Sequence, residues 1–257
     1  MRGPPGTAQA GEVSPIRDQR PHLELTALRA GYGTMEIVHG IDLAIGYGES
    51  LCLVGPNGAG KSTILHSLFR LADVLGGRIV IDGRDVTRVT ARTLLLEAKV
   101  AYVPQAYSVF PEMSVADNLL LGGHVLPGRH AARLAAERIF DTHPWLANRR
   151  KTAAGALSGG ERRQLELARA LMTEPRLLLV DEPSIGLDPK GIEAVFETLS
   201  LLQHRDGLSV LMVEQNVRKG LAFADYGALL VAGRLVMRAP ASQMRDDPRI
   251  GQTFLGS

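Results

Sequence analysis

Eight consecutive residues, Gly55-Pro56-Asn57-Gly58-Ala59-Gly60-Lys61-Ser62, combine three kinds of chemistry: flexible backbone, one ammonium and one hydroxyl. Glycines let a chain curl until several N–H groups point at one anion, and a helix start adds a favourable partial charge. A lysine in such a turn reaches the β- and γ-phosphates of a nucleotide, and a serine hydroxyl suits Mg²⁺. Glycine, four residues, glycine, lysine and serine is the P-loop pattern. It carries weight here because an apolar run at 50–54 precedes it and helical periodicity at 61–72 follows. A glycine turn that binds nothing needs neither Lys61 nor Ser62.

A second run, Arg176-Leu177-Leu178-Leu179-Val180-Asp181-Glu182, is an apolar strand ending in two carboxylates. The C-terminal end of a buried strand is where open α/β sheets bind ligands. Asp181 is suited to hold Mg²⁺, directly or through water, and Glu182 to accept a proton from an attacking water. The bland alternative is a strand-to-loop transition with Asp181 as a cap.

The third run is Leu157-Ser158-Gly159-Gly160-Glu161, continued by a helical pattern to Leu171. Ser158 and Glu161 form a capping box, which accounts for two of the residues. Capping does not call for two consecutive glycines, which weaken a helix but let its backbone come close to a ligand. The segment resembles the signature sequence of the ATP-binding cassette family, with Glu161 where that family usually has Gln. The resemblance implies that this helix start faces the P-loop of an opposite subunit, so that each ATP lies between two chains.

Further residues match the family pattern in order. Thr63 belongs with the P-loop residues in the nucleotide site. Tyr32 matches the aromatic on which adenine stacks, the alternative being core packing. Gln105 matches the glutamine that touches Mg²⁺ and water and joins the core to a helical subdomain. Asp188, in Ser184-Ile185-Gly186-Leu187-Asp188, matches a loop that crosses the dimer interface. Gln215 stands where the family normally has a histidine contacting the γ-phosphate. An amide can orient phosphate and water as a histidine does, but it carries no charge near neutrality; the alternative is that Gln215 only caps a strand end.

Elements that could position these residues are legible from periodicity. Strands are expected at 23–28, 41–45, 50–54, 78–81, 100–103, 176–180 and 209–213, with a hairpin of 228–231 and 234–237 about Ala232-Gly233. Helices are expected at 61–72, 115–121, 131–140, 159–172, 191–204 and 219–224. This is an α/β P-loop NTPase core. The cassette resemblance adds an antiparallel β subdomain, and the run of helices at 111–173 an inserted helical subdomain. Residues 1–21 read as a flexible tail and 22–257 as a single ATPase domain.

Composition bounds the function. The 257 residues are enough for one such unit and too few for two. With 29 Lys+Arg against 27 Asp+Glu, no basic track for nucleic acid stands out. Cys52 is the one cysteine and reads as strand packing in a reducing compartment. No apolar run approaches the roughly 20 residues that cross a bilayer, so transport would have to come through other subunits.

Within the cassette family the chain is most similar to the ATP-binding subunits of branched-chain and other hydrophobic amino acid importers. The similarity lies in Ala30-Gly31-Tyr32-Gly33, in Val109 through Leu119, in His143-Pro144-Trp145-Leu146, in Val213-Glu214-Gln215-Asn216 and in Phe254-Leu255-Gly256. It implies Mg²⁺ and ATP, a homodimer or a heterodimer with a sister ATPase, transmembrane permease subunits, a separate solute-binding protein, and residence on the cytoplasmic face of the cell membrane. An exporter ATPase and a regulatory cassette without turnover remain open. DNA-repair cassettes carry a long coiled coil between the positions of Gln105 and Ser158, and translation cassettes usually two units per chain; neither fits. Val109 to Val115 and Leu119 to Gly123 fall where the family docks a short permease helix, with Phe110 and Met113 either lining that groove or packed internally.

Overall fold

The computed structural model describes residues 20–106, 108–248 and 250. Two sheets organise it. The antiparallel one contains β1 (Leu23–Tyr32), β2 (Met35–Ile45), β4 (Asp73–Ile81) and β5 (Arg84–Asp85) in the order β2-β1-β4-β5. The other contains β3 (Ser50–Val54), β6 (Val100–Val103), β7 (Leu177–Asp181), β8 (Ser209–Val213), β9 (Tyr226–Val231) and β10 (Arg234–Pro240) in the order β10-β9-β3-β8-β7-β6. Its strands run parallel except for the antiparallel β9–β10 hairpin.

Every residue of β3, β7 and β8 is buried, which is why these strands read as continuous apolar runs. Their two faces serve different cores. Leu177 and Leu179 of β7, Leu211 and Val213 of β8, and Leu51 and Leu53 of β3 point into one cluster with α1 (Lys61–Phe69) and the antiparallel sheet. The alternate residues Leu178, Val180, Val210 and Met212 face α7 (Pro189–Asp206). Cys52, fully buried, packs on a third side near α8 (Val217–Phe223) and α9 (Ala241–Arg245).

Between β6 and β7 the chain is helical: α3 (Val115–Gly122), α4 (Gly128–Thr142), α5 (Pro144–Asn148), a 3-10 turn (Ala154–Ala156) and α6 (Gly159–Leu171), with α2 (Ala91–Leu96) preceding β6. These helices have their own core around Val115, Leu119, Ile139, Phe140 and Leu146. α6 belongs to two cores at once, since Leu165 and Ala168 face that cluster while Leu167 faces the one under α7.

Several elements are longer or shorter than periodicity predicts. β1, β2 and β4 extend to Tyr32, back to Met35 and back to Asp73, because bulges and register shifts carry the pairing through Ala27 and Gly77, where alternation breaks. α1 stops at Phe69 rather than reaching 72, since Arg70 adopts φ +65° and its N–H closes on Ser67 O. α2, α5, α9 and β5 are too short to show a period. The similar stretch Phe254-Leu255-Gly256 lies outside the described residues.

Candidate nucleotide and catalytic site

Strand order assembles this site. β3, β8 and β7 are neighbours, so the turns at their carboxyl ends lie side by side, spanning two strand spacings or about 10 Å. They carry the P-loop, Gln215 and the Asp181-Glu182 pair; β6, next in order, leads into Gln105.

The P-loop is braced from below by the β9–β10 hairpin. Gly55 has φ +152°, and a Cβ there would fall 2.1 Å from Leu230 O, so no other residue fits. The hairpin turn donates Gly233 N–H to Ala59 O at 3.0 Å and accepts His39 N–H at 2.8 Å, fastening the loop to both sheets. Asn57 and Gly58 are exposed at the tip, while Thr63 is buried on α1. Lys61 Nζ donates to Gly55 O at 2.8 Å and Pro56 O at 3.0 Å. Burial lowers its pKa, and the charges of Glu182 and Asp181 oppose that shift.

Ser62 Oγ donates to Asp181 Oδ1 at 3.0 Å, and Tyr102 OH to Oδ2 at 3.4 Å. Asp181 is buried, which pushes its pKa up against the pull of these bonds and of His66. Glu182 follows at φ +44°, its N–H donating to Val213 O at 2.9 Å. Gln105 Nε2 donates to Glu182 Oε2 at 2.8 Å. Burial first, then the charge of Asp181, raises the Glu182 pKa. Thus Lys61, Ser62, Gln105, Asp181 and Glu182 form one cluster. Gln105 meets Glu182 in it, while the Ser62 hydroxyl meets Asp181.

The Gln215 side chain is exposed and hydrogen-bonds to no other described residue. Its neighbours hold the turn instead: Glu214 accepts from Ser184 Oγ and from Asn216 N at 2.8 Å each, and Asn216 caps α8. Tyr32, at the end of β1, is 43% exposed and so is not a core residue. Its turn is held by Gly33 N–H on Asp73 Oδ2 at 2.8 Å.

Ser158, Gly159, Gly160 and Asp188 form a second group, with no hydrogen bond to the P-loop among the described residues. Ser158 and Glu161 complete the capping box at the start of α6, and Asp188 caps α7 through Gly191 N–H at 2.7 Å. A Cβ on Gly160 would come within 2.9 Å of Gly191 Cα, so that glycine is required by the packing of α6 on α7 inside this chain, beside any ligand role. Ser158, Gly160 and Asp188 border an open groove of about 660 Å³ between these helices.

Three contributors have roles that the motifs do not name. Arg163, fully buried on α6, donates to Pro104 O at 2.8 Å, Gln105 O at 2.9 Å and Glu166 Oε2 at 2.9 Å, clamping the Gln105 backbone to the signature helix. Glu214 and His66 are the others. The only sequence signals were an arginine at an inward helix position, an acid ending an apolar strand, and a histidine one turn after Ser62.

The family description "ABC transporter" matches residues 38–185, more than half of the chain. The chain belongs to the ABC transporter family. This cassette is therefore an ATP-binding, ATP-hydrolysing subunit. It is 34% identical over 225 residues to the high-affinity branched-chain amino acid transport ATP-binding protein BraG of Pseudomonas aeruginosa, covering 88% of this chain and 95% of that one. It is 33% identical to the lipopolysaccharide export system ATP-binding protein LptB of Acidithiobacillus ferridurans, over 91% and 96%. A crystal structure of a nucleotide-free cassette from an ABC transporter superposes with a TM-score of 0.83 at 21% identity, covering 93% of this chain and all of that one, a likeness of fold.

Proposed function

We propose that the cassette binds Mg-ATP at the P-loop and hydrolyses it with Glu182 as general base, driving a membrane importer of branched-chain or other hydrophobic amino acids. The observation that carries the catalytic reading is the Glu182 carboxylate, held by Gln105 at 2.8 Å next to the Asp181–Ser62 pair, with Lys61 over the same loop. Burial keeps Glu182 a stronger base than a free carboxylate.

The hydroxyl of Ser62 and the carboxylate of Asp181 are hard oxygen donors 3.0 Å apart, and no cluster of three or more His, Cys, Asp or Glu competes among the described residues. That donor set fits Mg²⁺, which keeps waters and takes its other ligands from phosphates. When bound, Mg²⁺ neutralises charge developing on the phosphate oxygens. Gln105 then orients water beside Glu182, Gln215 orients the γ-phosphate, Tyr32 stacks on adenine, and the P-loop N–H groups with Lys61 cradle the phosphates. Ser158, Gly159, Gly160 and Asp188 serve the ATP of a second subunit, identical or sister. No helix among the described residues is long and apolar enough to cross a membrane. In this reading the cassette works against permease subunits at the cytoplasmic face, fed by a solute-binding protein, as its similarity to BraG suggests.

Glu182→Gln tests the chemistry. It is expected to keep ATP binding and lower hydrolysis by about 10² or more, measured as steady-state turnover of the assembled complex; parental turnover would remove Glu182 from the role of base. The similarity to LptB supports a second reading, an exporter ATPase. Identifying the membrane proteins that co-purify in detergent separates the two.

A further inference from the structure

His66 has no part in the reading above, yet it stands between Tyr32 and Asp181. It lies one helical turn beyond Ser62 on α1, so both side chains leave the same face of the helix. Tyr32 OH lies 2.6 Å from His66 Nδ1, and Tyr102 OH lies 3.0 Å from Nε2 and 3.4 Å from Asp181 Oδ2. For a neutral imidazole, counting donors gives the direction of every link. A carboxylate only accepts, so Tyr102 commits its single proton to Asp181. The Tyr102 oxygen then accepts from Nε2–H of His66. That leaves Nδ1 as an acceptor, which the Tyr32 hydroxyl fills. Ser62 Oγ donates to the other oxygen of Asp181 at 3.0 Å. The result is one ordered chain from the exposed ring of Tyr32 to the buried carboxylate beside the P-loop.

We propose that His66 is a positioning residue that ties the orientation of the Tyr32 ring to that of the Asp181 carboxylate, so that the base end and the magnesium end of Mg-ATP are set together. It rests on Tyr32 meeting the adenine and Asp181 serving Mg²⁺, as proposed above. Hydrogen-bonded chains of this kind hold their members more firmly than isolated pairs. Among the described residues neither Tyr32 nor Tyr102 makes another side-chain hydrogen bond, so without His66 the Tyr32 hydroxyl loses its tie to them.

Packing alone offers a rival account, since the His66 and Tyr102 rings meet edge to face with centroids 5.9 Å apart. Two substitutions separate the accounts. His66→Phe keeps a ring and loses both bonds. His66→Gln loses the ring but keeps the order, its Oε1 accepting from Tyr32 and its Nε2 donating to Tyr102. Binding of ATP to the full-length chain is measured by calorimetry at fixed Mg²⁺, and the half-saturating Mg²⁺ concentration at fixed ATP. His66→Phe is expected to raise both about tenfold, the loss of two ordinary hydrogen bonds, whereas His66→Gln stays within about threefold of the parent.

The coupling itself is read from Tyr32→Phe, which keeps the ring for stacking and removes only the hydroxyl. It is expected to raise the half-saturating Mg²⁺ concentration in the parental background and to add nothing in the His66→Phe background. Equal effects of Tyr32→Phe in both backgrounds, or a His66→Gln variant that behaves like His66→Phe, overturn the proposal. A parental chain that binds no Mg-ATP overturns the site reading as well, whereas parental binding with an additive cycle overturns the role of His66 alone.

Discussion

At Glu182 three constraints meet in one residue. Its backbone sits in the left-handed region, which costs a non-glycine residue energy and persists only where the surroundings enforce it. Here the N–H bond to Val213 and the side-chain bond from Gln105 enforce it. Burial and the neighbouring charge of Asp181 raise the carboxyl pKa above its ordinary value of about 4.5. A carboxyl raised in the folded state holds its proton more tightly there, so its contribution to stability falls as pH rises from 4.5 through the raised folded value. Glu182→Gln is therefore expected to melt above the parent at pH 8 and close to it at pH 4, followed by thermal unfolding at both. Coincident melting at pH 8 would mean that Gln105 and Lys61 offset the burial completely. Gln215 is the opposite case, a side chain with no hydrogen bond to another described residue. Gln215→Ala should leave the melting temperature and ATP affinity near parental and lower turnover about tenfold or more, as positioning contacts act mainly in the transition state. Unchanged kcat in the assembled complex would show that Gln215 has no catalytic part.

Among the elements, those whose period is enforced by burial were legible. β3, β7 and β8 match their apolar runs because all their residues are buried, and the Ala232-Gly233 hairpin announced itself through its turn residues, both with positive φ. α6 was legible from its capping box. What escaped was set by tertiary contact: β1, β2 and β4 continue through bulges that break alternation, and α1 ends where Arg70 turns left-handed. The glycine pair at 159–160 shows how one signal can carry two causes. Ligand approach explains it from sequence, whereas the chain itself already requires Gly160, because α6 and α7 touch backbone to backbone there. Gly160→Ala places a methyl 2.9 Å from Gly191 Cα, and overpacking of that kind costs about 1–3 kcal/mol. Urea unfolding should show a loss in that range, with ATP affinity of the isolated chain kept, since the P-loop lies on other elements. A stable Gly160→Ala variant with impaired turnover would instead assign this glycine to the nucleotide of the facing subunit.

Across the whole molecule, the core of the helical insertion and the core beneath α7 are joined through α6. Arg163 on that helix grips the backbone of Pro104 and Gln105, and Asn118 of α3 laces the segment that follows. Fully buried, Asn118 accepts Phe110 N–H at 2.8 Å and donates to Phe110 O at 3.0 Å. Asn118 thus holds the Phe110 backbone while the ring stays 51% exposed, with the Arg169 guanidinium carbon 5.8 Å from its centroid. Met113 is half-buried and borders a groove of about 610 Å³ with Leu120, Leu121 and Leu126 between α3 and α4. An exposed aromatic ring close in sequence to the groove-lining Met113 suits a short amphipathic helix, the contact proposed for the permease. Phe110→Glu is expected to leave the melting temperature and ATP affinity of the isolated cassette unchanged while abolishing its recovery with the membrane fraction. Met113→Glu should do the same with a small loss of stability, because that side chain is partly buried. Parental recovery of both variants with membranes would move the permease contact to another face of the cassette.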